Sequence, residues 1–250
     1  MNQRIQKHKD NYGRFKSSVA ESSFDTWLDG YVPGVPARKT SIYDEGSLVA
    51  LMLDLYIRRA SKGKNSLDDL YVHLFHDFSS NENGYRESDI LRLAISLSNK
   101  GVEEIFNQAI HARKFDEVLL QELLHVVGCW LSTSPSKKAH EQLYGLRVIV
   151  EGGITKVATV LPGSPAEIAG IAKDDEISSC NGWKVEGNLS ELCVLKDGSA
   201  KMTIFSLKKE KQVTLERSSQ TWFATLQVVK IEDADPFARE LFTAWTNLDW

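Results

Sequence analysis

Up to about residue 130, apolar positions recur every three or four residues. Beyond residue 140 they gather in short β-branched runs. The chain therefore reads as helices first and strands second. Ser18, with Glu21 three residues on, is a capping box opening "VAESSFDTWLDG", and Gly30 closes that helix. "YVPGVPARKT" is a Pro/Gly loop. Residues 46–59 are helical by length and leucine spacing, and they are apolar nearly all round, so burial is expected. After a glycine stop, Ser66 is an N-cap with Asp69 three residues on. "ESDILRLAISLSNKG" and "VEEIFNQAIHAR" predict two further helices, and a last one runs from Phe115 to about Leu131. No strand pattern occurs before residue 140.

"STSPSKKAH" at 132–140 is a polar linker. After it, "LRVIVEGG", "ITKVATV", "DEISSC", "KMTIFSL" and "KQVTLER" are short strands separated by Gly, Asn or Asp turns, with "SPAEIAG" as a brief helix. The expectation is a multidomain α + β protein. An all-α helical domain spans 1–133, a small β domain spans 140–217, and a strand/helix extension spans 218–250.

Composition narrows the function without choosing one. The 250 residues carry 30 Lys+Arg against 34 Asp+Glu, a net −4. Neither half has the basic excess that a phosphate backbone demands, so no nucleic-acid partner is expected. Cys129, Cys180 and Cys193 are odd in number and widely spaced with no CxxC, which argues for free thiols rather than disulfides or a thiolate zinc site. The most apolar run is short and broken by Asp54, so no membrane span is expected. A soluble chain of this kind suits cytoplasm or periplasm equally.

"TVLPGSPAEIAGIAKDDEISSCNGWKV" resembles the central signature of PDZ domains of the bacterial protease type. Pro165 pre-sets the first turn of a short helix, Gly170 ends it, and Asn181-Gly182 makes a tight strand connection. Asp174 stands where that family has glycine, and aspartate tolerates the positive φ the turn needs. The resemblance implies an extended peptide added to an open sheet edge, with its C-terminal carboxylate captured by backbone N–H groups. The capturing loop would be Tyr144, Gly145, Leu146 and Arg147, and the facing helix would present Leu189 and Leu192.

Three segments of the helical half resemble the PDZ-containing zinc aminopeptidases of the glycyl aminopeptidase type. Ser23, Phe24, Asp25 and Trp27 match an SFDxW helix. Ser41, Tyr43, Gly46, residues 48–51 and 53–55, Ile57 and Arg58 match a second helix, and residues 66–69 match an SLDD start. Ile42 and Glu45 depart from the second pattern, where the family has tyrosine and lysine. The resemblance implies that Tyr43 is catalytic, its phenol hydrogen-bonding the oxyanion as metal-bound water attacks a peptide carbonyl. It also implies a zinc held by an HExxH helix and a further glutamate.

None of His8, His73, His76, His111, His125 and His140 stands in HExxH. In the family that motif lies upstream of the SFDxW helix. The chain is therefore expected to be the C-terminal part of such an enzyme, with the outer helical half of a gluzincin catalytic domain. It would be inactive alone, bind no zinc, and have the upstream catalytic half as its natural partner. Without that half an apolar face would favour homo-oligomers. His73 and His76 are more simply surface or packed histidines than ligands, and His125 with Cys129 is expected as a buried core pair. From another class stands the alternative: a non-enzymatic adaptor whose PDZ domain binds peptide or protein C-termini.

Overall fold

The structure is a computed structural model that describes residues 1–30, 37–79, 84–113 and 117–250. It is a mixed helix-and-sheet protein in two compact units, one of residues 1–132 with 226–250 and one of residues 133–225. Residues 31–36 of the expected Pro/Gly loop lie outside the described residues, as does Phe115.

The first unit is built on helices α1 (Asn2–Asp10), α2 (Val19–Phe24), α3 (Thr26–Asp29) and α4 (Ile42–Ser61). Ser18 and Glu21 form the expected capping box at α2, but the helix breaks at Asp25, and Gly30 ends α3 at φ 70°. α4 is the spine. Leu48, Met52, Leu55 and Ile57 are almost wholly buried along it, as its all-round apolar sequence demands. Around α4 pack α5 (Leu67–Phe78), α6 (Glu87–Leu97), α7 (Glu103–Ile105), which continues as a π-turn over Phe106–His111, and α8 (Glu117–Val126). Ser66 and Asp69 form the second capping box, at α5.

The expected all-α character and the expected last helix need correction. α8 stops at Val126, and strand β1 (Cys129–Ser134) follows. Gly128 sits between them at φ +65°, with the ring of Trp250 within 2.6 Å of where a Cβ would stand. Only glycine meets both the left-handed backbone and that close approach.

In the second unit, α9 (Ala139–Tyr144) leads into β2 (Leu146–Glu151) and β3 (Ile154–Val160). Then come α10 (Pro165–Ile168), β4 (Glu176–Cys180), β5 (Trp183–Lys184), α11 (Leu189–Cys193), β6 (Ser199–Ser206) and β7 (Lys209–Glu216). The sheet runs β2-β3-β4-β6-β7 with β5 on β4, so β2 and β7 are its edges. Asp174 takes φ 71° in the turn before β4, the positive value its position requires. Leu143, Tyr144, Leu146, Ile177, Leu189 and Leu215 belong to one core beneath the sheet and α11.

The chain then returns to the first unit. β8 (Thr225–Lys230) pairs with β1, and α12 (Pro236–Thr246) sets Leu241 and Phe242 into the core that α4 organises. No helix among the described residues is long and apolar enough to cross a membrane.

Candidate functional site

Two places collect the sequence-derived candidates, one in each unit. In the first, Ser41 caps α4 by accepting the Asp44 N–H (3.3 Å), which starts the helix at Ile42 and puts Tyr43 in its first turn. Tyr43 is 61% exposed although the helix behind it is buried. Its neighbours along the chain are fixed. Asp44 pairs with Arg4 and, at 3.7 Å, with Lys7. Glu45 is buried against the His8 Nδ1 at 2.7 Å, and that pair locks α1 to the start of α4. The glutamate that departs from the family's lysine is thus the anchor of the turn carrying Tyr43. Gly46, one residue on, has open space where a Cβ would stand, so nothing in the described residues demands glycine there.

Phe24 and Trp27 of the SFDxW segment, with Leu28 just after it, also stand out, between 84% and 92% exposed. Asp54 and Arg58 of the second motif are buried and work structurally instead. Asp54 accepts from Arg58 Nε (3.1 Å) and from the Leu67 N–H that opens α5 (2.9 Å).

In the second unit the loop expected to start at Tyr144 proves to be a helix end. Tyr144 is the last residue of α9 and is buried, which pushes its phenol up to about 12, and Gly145 closes the helix in the left-handed region. The Gly145 N–H donates to Glu141 O at 3.2 Å. Arg147 donates from Nε to the Glu141 carboxylate (3.2 Å) and lies 4.2 Å over the Phe223 ring. Glu141 is itself buried and accepts from Ser136 Oγ at 2.8 Å. Leu189 lines a cavity of about 370 Å³ with Val148, Val150, Thr155, His140 and Ser190. Leu146 and Leu192 share the core with Leu189 but do not line the cavity.

Sequence reasoning missed His140. It is buried on α9, its Nδ1 is 2.9 Å from Ser190 Oγ on α11, and its ionisation falls from the ordinary 6.5 to about 4. Burial is the main cause; Glu141 and Glu191 oppose it, and Lys138 and Arg147 add to it. The unfolded chain takes up this proton near pH 6.5 and the folded chain only near pH 4. Its contribution is therefore fully present above pH 6.5 and is lost as pH falls through that window. The size is about 3 kcal/mol. Urea unfolding at pH 7.5 and pH 4.5 should show that His140→Gln shrinks the difference by about this amount; an unchanged difference would mean His140 titrates normally.

The other sequence candidates do not assemble. His73 and His76 are both exposed on α5. The expected buried His125–Cys129 pair is corrected: Cys129 is buried, but His125 is exposed because α8 ends between them. Among the described residues no three His, Cys, Asp or Glu side chains come together to hold a metal ion.

With this geometry in hand, the likenesses to known proteins fall into place. Residues 1–49, which include Tyr43, match the family model of the M61 glycyl aminopeptidases, so the resemblance read from the motifs is borne out there. The fold is that of an aminopeptidase N family protein from Idiomarina loihiensis, at a TM-score of 0.81, 18% identity and 97% of this chain covered. The chain spans 42% of that protein's chain, less than half its length. A PDZ domain protein from Parabacteroides distasonis is 19% identical over 40% of this chain and 21% of its own, at a TM-score of 0.28. No curated protein matches the chain.

Proposed function

We propose that this chain is one part of a metal-dependent aminopeptidase of the glycyl aminopeptidase type, in which Tyr43 donates a hydrogen bond to the oxyanion of peptide hydrolysis. The carrying observation is an exposed phenol on a rigid, buried helix inside the segment that matches the family. A donor fixed before the reaction needs no reorganisation when charge develops on the carbonyl oxygen. The Asp44–Arg4 ion pair and the Glu45–His8 contact, on the two residues that follow Tyr43, hold that turn in place.

The residues described here do not fit a zinc site. In this reading the metal belongs to the HExxH helix of an upstream catalytic half. Phe24, Trp27 and Leu28 offer that half an apolar face to cover, and the open space beside Gly46 lets it approach. The 250-residue chain alone is expected to retain no stoichiometric zinc after desalting and to release no amine from glycyl substrates. An aminopeptidase activity of this chain that both a chelator and Tyr43→Phe abolish would overturn the division of labour.

A second reading is favoured by the second unit alone. We infer a PDZ-like peptide-binding module there, with β2 as the open edge and α11 as the facing helix; the cavity between them is the observation that supports it. The two readings are compatible, since such a module can deliver substrate to a peptidase. Backbone amide shifts confined to β2 and α11 on adding peptide would support it, and shifts elsewhere only would refute it.

A further inference from the structure

The two edges of the six-stranded sheet differ in chemistry. β7 opens with Lys209, Glu210 and Lys211, exposed charges of the kind that keep an edge from pairing. β2 carries Val148, Ile149 and Val150 instead, with Ile149 and Val150 exposed. An unguarded apolar edge beside a cavity is suited to strand addition.

Two donors of the loop expected to capture a terminal carboxylate are already engaged by the chain itself. The Gly145 N–H is engaged by Glu141 O, and the Arg147 guanidinium by the Glu141 carboxylate. A carboxylate arriving at Arg147 would have to share that guanidinium with the buried Glu141 carboxylate. Expectation and structure part here: the loop chosen from sequence for carboxylate capture holds a carboxylate of its own.

The cavity asks for something else. His140 and Thr155 are among the residues that line it, both are at least 96% buried, and His140 Nε2 and Thr155 Oγ1 have no hydrogen-bond partner among the described residues. The neutral imidazole, with Nδ1 at Ser190 Oγ, presents one role at Nε2, donor or acceptor, while a threonine hydroxyl offers both. A hydroxyl or carboxamide both donates and accepts, so it suits either atom in either tautomer. A carboxylate only accepts, so it satisfies the two atoms in one tautomer alone, while at the lining Glu191 repels it and Lys138 attracts it.

We propose that this groove takes an internal, extended polypeptide segment, paired along β2 with a Ser, Thr, Asn or Gln side chain in the cavity, and needs no free C-terminus. The proposal rests on the second unit being a peptide-binding module.

The test uses the full isotope-labelled chain and the heptapeptide acetyl-Ser-Lys-Val-Thr-Val-Lys-Ser-amide. Its valine and aspartate versions at the central position, and the same threonine peptide with a free C-terminal carboxylate, are titrated beside it. The capped threonine peptide should shift the amides of 148–150 and bind about tenfold more tightly than the valine version, the worth of one hydrogen bond. The aspartate version should bind more weakly than the threonine one, and freeing the carboxylate should change affinity less than roughly twofold. Thr155→Val, which keeps the strand's β-branched shape, should reduce the preference for threonine over valine, leaving only what His140 supplies. Binding that appears only with the free carboxylate would overturn the proposal while keeping the groove. So would a threonine preference that is undiminished in Thr155→Val. Failure of every peptide, capped or free, to shift β2 would overturn the peptide-binding reading itself.

Discussion

Tyr43→Phe is expected to lower kcat of the metal-complete peptidase by about a hundred- to a thousandfold while leaving KM nearly unchanged. The substitution removes one oxygen from a residue that is 61% exposed, so thermal stability should largely hold. An oxyanion donor acts on the transition state more than on bound substrate, so its loss appears in kcat. A rise in KM at constant kcat would instead make Tyr43 a binding contact. Stability lost in step with activity would make it a packing residue.

The largest effect on stability is expected at Asp54. Asp54→Ala removes both partners of one carboxylate: the buried Arg58 guanidinium is left unpaired, and the first N–H of α5 loses its acceptor. Breaking a buried ion pair from one side costs about 3–5 kcal/mol, because the remaining charge stays desolvated. Arg58 also reaches Ala244 O on α12 at 3.4 Å, so the loss spreads to the helix that closes the first unit. Asp54→Asn keeps an acceptor for Leu67 and should recover part of the loss. The double variant Asp54→Leu with Arg58→Met should recover more, since an apolar pair of similar volume avoids the unpaired charge. Urea unfolding of the three variants decides the matter. A cost below about 1 kcal/mol for Asp54→Ala would mean that Arg58 finds water instead.

Local signals in the sequence were legible and distant ones were not. The two capping boxes, Ser18–Glu21 and Ser66–Asp69, depend on residues three apart and stand as read. Asp174 at positive φ could be anticipated from one turn. The β1–β8 ribbon could not. Its strands are nearly a hundred residues apart, and the apolar run before β1 has no period to show where helix gives way to strand. Gly128 was the available signal, since a glycine ending a helical run marks its cap.

The candidate sites divide the same way. Tyr43 was legible only because a motif pointed to it, while the His8–Glu45 pair that holds its turn joins residues 37 apart in sequence. Around the groove, Leu189 was found from the facing helix and lines the cavity. His140 was assigned to a polar linker, yet α9 buries it against α11. A six-residue helix is too short for periodicity to reveal, although Gly145 in the left-handed region is the cap that would end one.

The most direct measurement is the size of the native protein in its source cells, seen with an antibody raised against this chain. A band far above 28.1 kDa is expected, because the Tyr43 phenol then has an upstream metal-bearing half to serve. A single band at 28.1 kDa would contradict the peptidase reading and leave the groove beside β2 as the working site.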